Sequence, residues 1–180
     1  MTARRFQLAS VCIAALSFLA ARPTLAGAVN AKHIAADARW YLHLDVEAAK
    51  ETVLYNTVLD AIKATYPLEE TVTQLKQFIG VNPLTDISGI TVYNTSFEKD
   101  VAAVIIYATV DQNLLTNALS QNRDYKEVAY GQHTLLFWTD NNDGKQKTGC
   151  FYGPGVVVMA DKEATLKMAV DVLDGAKPAG

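Results

Sequence analysis

The run Val101-Ala-Ala-Val-Ile-Ile-Tyr-Ala-Thr-Val110 contains no charged residue, glycine or proline. Its β-branched and aromatic residues read as a strand. Alternation puts Ala102, Val104, Ile106 and Ala108 on one face, and Ala103, Ile105, Tyr107 and Thr109 on the other. Both faces are apolar, so the rest of the chain must fold around a strand that wants cover on two sides. An antiparallel sheet with one helical layer ordinarily shows polar residues on its other face. The Ala102–Ala108 face is expected to take the helices. The second face, with Tyr41, His43 and Tyr93 placed beside Tyr107 by analogy, is the candidate binding surface. A second copy, another module or a ligand would cover it. The alternatives are a C-terminal helix folded over it, or tyrosines that simply suit a solvated sheet.

The remaining elements follow from periodicity and punctuation. Trp40 to Val46 alternates as a strand, and Asp45 is placed to cap a helix running to about Ala64, with Leu54, Val58, Ala61 and Ile62 on one stripe. Pro67 interrupts, and a second amphipathic helix carries Leu68, Val72, Leu75 and Ile79 before Gly80 stops it. Strands are expected at 90–95, 101–110, 125–130, 133–139, 147–152 and 156–160, with a short helix after Asp111. Asp143-Gly144 turns one hairpin, and Asp161 is expected to cap a last helix ending at Gly175. Hairpin-linked strands with helices between sets of them indicate α+β: an antiparallel sheet with helices on one face. The opening β-α-β-β-α-β order predicts a ferredoxin-like split βαβ core, plus extra C-terminal strands and a helix.

Residues 1–26 are expected to lie outside that fold. Arg4 and Arg5 precede an uncharged run from Phe6 to Ala21, and Pro23 with small residues at Thr24, Ala26, Gly27 and Ala28 follows. This is the layout of a secretory signal peptide cleaved after Ala26 or Ala28. An uncleaved anchor is the competing reading, but the run is short for the roughly 20 residues of a membrane span. Cys12 is followed by more apolar residues and reads as part of the leader, not a lipidation site. Cleavage after Ala26 removes three of the 16 basic residues and none of the 19 acids, moving the formal charge from −3 to −6. The domain organisation is then a leader at 1–26, a flexible mature N-terminus at 27–36, one α+β domain at 37–175 and a linker-like tail at 176–180. A secreted or periplasmic location with no stable membrane anchor follows. The acidic balance argues against nucleic acid as a partner, and the half-apolar composition argues against disorder.

Three passages carry a resemblance: Ala38-Arg-Trp-Tyr-Leu-His-Leu-Asp45, Gly80-Val-Asn-Pro-Leu-Thr-Asp-Ile-Ser-Gly-Ile-Thr-Val92 and Gly155-Val-Val-Val-Met-Ala-Asp161. Over residues 37–175 the chain resembles the globular module of uncharacterised secreted bacterial proteins with ferredoxin-like α+β repeats. The resemblance implies export and that fold. It brings no activity, cofactor or catalytic residue, and it leaves open whether the chain is one module of a longer protein.

No recognised catalytic motif is present. Gly-x-Ser-x-Gly and His-Glu-x-x-His are absent, and Gly153-Pro-Gly155 lacks the Lys-Ser/Thr of a phosphate-binding loop. His33, His43 and His133 show no metal-ligand spacing, and His33 is expected to be solvated. Thr139 to Gly144 resembles the start of a calcium loop, but Cys150 stands where the twelfth-position glutamate belongs. Cys150 reads as a buried small hydrophobe, with a nucleophile or an intermolecular bridge as the functional alternative. Asn94-Thr-Ser96 fits a glycosylation acceptor. The expected function is an exported, non-enzymatic binding or scaffold module without cofactor or metal. The alternative is a secreted or periplasmic hydrolase, to be recognised by a pocket where His, Asp and Cys150 converge.

Overall fold

The computed structural model describes residues 29–98, 101–141 and 143–180. The expected leader and Cys12 lie outside the described residues. A short 3-10 turn at Ala31–His33 is followed by strand β1 (Trp40–Asp45) and helices α1 (Val46–Lys50), α2 (Val53–Thr65) and α3 (Leu68–Ile79). Strands β2 (Ile87–Asn94) and β3 (Ala103–Ala108) precede helix α4 (Gln112–Leu119). Strands β4 (Arg123–Tyr130), β5 (His133–Thr139), β6 (Gln146–Gly153) and β7 (Val156–Ala160) then lead to helix α5 (Glu163–Leu173).

All seven strands form one antiparallel sheet in the order β1-β2-β3-β7-β6-β5-β4. It consists of two meanders. The first ends at β3; α4 carries the chain to the far edge, and the second works back until β7 closes against β3. The fold class is therefore α+β, but the expected split βαβ is not what the strands build. That motif leaves room for a third strand between the two strands it joins. Here β1 and β2 pair directly, from Trp40 opposite Asn94 to Asp45 opposite Gly89, and β3 lies outside them.

Helices occupy both faces, not one. Helix α5 lies over Tyr93, Ala103, Ile105, Tyr107, Leu135, Cys150 and Val158, all buried, and contributes Leu166, Ala169, Val170 and Val172 to the same core. On the opposite face, Leu115 and Leu119 of α4 stand over Leu136, Trp138, Val157 and Met159. The ordered domain also begins before residue 37: Ile34 and Ala35 are core residues, against the expectation of a flexible mature N-terminus at 27–36. The expected tail pairs with this segment. Ala35 and Ala179 form an antiparallel bridge, and the Gly180 amide donates to the Ile34 carbonyl at 2.9 Å.

Local chemistry sets the helix boundaries. Asp45 caps α1, its carboxylate accepting from the Ala48 amide at 2.9 Å. The expected long helix then breaks at Glu51-Thr52, because Thr52 adopts extended backbone and caps a fresh start, accepting from the Tyr55 amide at 3.2 Å. Gly80 ends α3 with φ 72°, a left-handed conformation that favours glycine. Asp161 does not cap the last helix. Lys162 holds that position, and Asp161 pairs with Lys147 at 2.8 Å instead.

Candidate functional site

The register places the four expected site residues on one face. Tyr41 lies opposite Tyr93 and Tyr93 opposite Ala103, while His43 lies opposite Thr91 and Thr91 opposite Ile105; Tyr107 follows two residues along β3. That face is the α5 face, so the alternative cover, the C-terminal helix, is the one present. Tyr93 is fully buried, with its hydroxyl 3.7 Å from Met168 Sδ of α5. Burial first, and then the Asp37 charge, pushes its ionisation far above the ordinary tyrosine range. Only Tyr41, at the β1 edge beyond the reach of α5, stays largely exposed, at 57%.

Tyr107 and His43 join a polar chain that the sequence does not announce. His33 Nε2 lies 3.0 Å from the Asn30 amide nitrogen, and its Nδ1 lies 2.8 Å from the Tyr107 hydroxyl. With Asn30 donating to Nε2, Nδ1 carries the proton and donates to Tyr107. The two rings stack at 5.7 Å between centroids. On the neighbouring strands His43 Nδ1 lies 2.8 Å from Thr91 Oγ1. His33 is therefore not the solvated residue expected, and burial lowers its pKa below 6.5. The group fastens the N-terminal segment to the sheet with its ring nitrogens already engaged. That arrangement suits positioning more than ligand capture.

The other titratable cluster sits at the foot of α5. Asp174 accepts from His133 Nε2 at 2.9 Å, and the His133 ring stacks on Tyr152 at 4.8 Å. Burial alone would raise the Asp174 pKa, but hydrogen bonds from His133 and Tyr152 outweigh it and hold the carboxyl below its usual range. His133 and Tyr152 also line a shallow depression of about 530 Å³ with Gln112, Thr116, Glu127 and Gln132. A nucleophile would complete a hydrolytic site here, and Cys150 is the only free thiol among the described residues. It is 1% exposed, and burial, followed by the Asp174 charge, pushes it up to about 11. A reactive cysteine needs the opposite shift and an open approach. Among the described residues, no group of three His, Cys, Asp or Glu side chains is placed to hold a metal ion. Asn94, the expected glycosylation acceptor, is buried, and its amide donates to the Glu98 carbonyl at 3.2 Å.

The surface left without a partner lies on the opposite side, at the β1 end. Leu42 is 66% exposed and Leu44 50% exposed. They share a face with the half-buried Ile90, Val92, Val104 and Ile106, because Leu42 stands opposite Val92, and Leu44 opposite Ile90. After β1 and α1 the chain forms a two-helix arm, α2 and α3, which packs against α4. None of the 13 residues of α2 is buried, and Leu54, at 74% exposure, Val58 and Ile62 form a stripe facing water. Phe78 of α3 and Tyr66 between the helices are exposed as well. A periodic apolar stripe ordinarily faces inward, and this one does not. Among the described residues no helix is long and apolar enough to cross a membrane.

No family model matches the chain, and neither a curated protein nor a solved structure matches it.

Proposed function

We propose that the chain is an exported, non-enzymatic binding or scaffold module of the cell envelope or the extracellular space. Its partner docks on the apolar surface made by the open half of the sheet and the helical arm. The observation that carries the reading is the Leu54–Val58–Ile62 stripe, which spends helix-forming sequence on a face that the fold does not bury. Clusters of large aliphatic residues left exposed mark interaction sites. The tyrosine face was the expected contact surface, but α5 occupies its centre and the reading moves to the other side.

Two measurements test it. Binding of an apolar fluorescent dye to the dilute, folded chain is expected to fall several-fold in a Leu44→Asp/Leu54→Asp variant whose near-ultraviolet circular dichroism is unchanged. Equal dye binding by both proteins would remove the proposed surface. Export is tested by fusing residues 1–28 to a β-lactamase that lacks its own leader: ampicillin resistance is expected, and sensitive cells containing soluble fusion refute it. The hydrolase reading keeps one specific observation, the His133–Asp174 pair beside an open depression. It would need a nucleophile other than Cys150.

A further inference from the structure

We propose that a second copy of this chain covers the open half of the sheet, each copy laying the Leu54–Val58–Ile62 stripe of its α2 across Leu42 and Leu44 of the other. The inference rests on the binding-module reading and adds the occupant.

Helix on sheet is how this molecule already buries apolar strand residues. Over β5–β7, α4 covers Leu136 and Trp138 with Leu115 and Leu119. At the β1 edge of the same face Leu42 and Leu44 stay exposed, and α2 carries an aliphatic stripe that none of the described residues buries. The two unpartnered surfaces are chemically alike and occur once each, so a two-fold pair satisfies both at once and closes.

Within one copy the two surfaces do not meet, as the exposure of Leu42 records. The arm is rooted elsewhere. Gly80 at the end of α3 lies against Asp111 and Leu114 so closely that a Cβ there would come within 2.8 Å of Asp111 Cβ. That contact holds the foot of the arm at α4.

The area is adequate. Taking about 150–200 Å² for each large apolar side chain, the exposed parts of Leu42, Leu44, Leu54, Val58 and Ile62 come to roughly 500 Å² per copy. A reciprocal pair would bury roughly 1,000 Å², the threshold for a specific interface. Charge disfavours a lipid surface as the occupant. The arm carries Asp60, Glu69 and Glu70 against Lys63 and Lys76, not the basic flank that draws an amphipathic helix to anionic headgroups.

The test uses the chain as recovered from the export compartment of a bacterial host, its N terminus read by mass spectrometry. Sedimentation over about a hundredfold range of concentration is expected to show a mass rising to twice that of one chain. Leu44→Asp and Leu54→Asp should each weaken association by at least about 100-fold, since each places a charge in a dry contact. Both residues are exposed in the single copy, so the urea midpoint at low concentration should stay at the wild-type value. An equimolar mixture of the two variants should associate more strongly than either alone, because one arm-on-sheet contact survives in the mixed pair.

A single-chain mass at every concentration overturns the proposal. So do variants that pair as the wild type does, and a mixture no better than its components. The dye measurement above is made at concentrations where copies are apart. A monomer that keeps Leu44- and Leu54-dependent dye binding would therefore remove the second copy while leaving the binding surface intact.

Discussion

Helices α2 and α5 are of similar length and both carry an apolar stripe, yet the fold treats them in opposite ways. Helix α5 buries Thr165, Leu166, Ala169, Val170 and Val172. Polar contacts fix its far end: Asp171 accepts from the Tyr130 hydroxyl at 2.7 Å, and Asp174 accepts from His133. Helix α2 buries nothing, and its hydrogen bonds are local, such as Thr57 Oγ1 to the Val53 carbonyl. The contrast teaches that a hydrophobic stripe specifies a face wanting cover and does not specify which surface provides it. Connection geometry decides that. Helix α5 follows β7, which lies in the middle of the sheet, and so falls back onto the face behind it. Helix α2 is reached from β1, at the sheet edge, only through α1 and a fresh start at Thr52, and none of its residues is buried.

The largest test of this contrast is truncation on each helix. Leu166→Ala should cost about 2–5 kcal/mol in urea unfolding, because a fully buried leucine leaves a cavity. Leu54→Ala should change the stability of the dilute chain by less than about 0.5 kcal/mol. A similar loss at both positions would mean that α2 is packed against the sheet after all. Cys150 gives an independent reading, since it lies in the core that α5 closes. A thiol reagent at pH 8 should label native wild-type protein slowly, as little thiolate forms when the pKa is about 11. Labelling should quicken in Leu166→Ala and stay unchanged in Leu54→Ala.

Gly80 tests the root of the arm. Gly80→Ala places a side chain at φ 72° and against Asp111, which caps α4, so a loss of about 1–3 kcal/mol is expected in the same unfolding measurement. A neutral result would show that the arm and α4 are not closely joined.

The smallest effect concerns the cover over the tyrosine face. The native pKa of His33 is held below 6.5 by burial, so the unfolded chain binds its proton more readily. The His33 contribution to stability is thus fully present above about pH 6.5 and is lost as the pH falls through the native value. Comparing urea midpoints at neutral and mildly acidic pH, His33→Gln should flatten this part of the dependence. Identical pH curves for the variant and the wild type would contradict the buried contact with Tyr107.

Much of the sheet was legible in the residues. The strand at His133–Thr139 was expected at its observed limits, and the analogy that set Tyr41, His43 and Tyr93 beside Tyr107 agrees with the strand register. Asp45 and Asp111 announced their helices because a side-chain cap is a local interaction. Strand order was not legible. The β-α-β-β-α-β sequence fits a split motif and two meanders equally well, and the choice depends on which edge the chain reaches after α4. The candidate site suffered most from this. Both faces of β3 are apolar, and nothing local says which face the last helix will close. The contact between His33 and Tyr107 joins residues 74 positions apart and was beyond any local pattern.

The bridge between Ala35 and Ala179 brings the first and last described segments together. A short peptide joining Gly180 to Val29 would leave the sheet order intact and permit new termini elsewhere, for instance between β5 and β6. The chain enters the fold at Ala35 and leaves it at Ala179 at one corner of the molecule, beside α5. Opening this one bridge would expose Ile34 and Ala35 while leaving every pairing of the seven-stranded sheet in place.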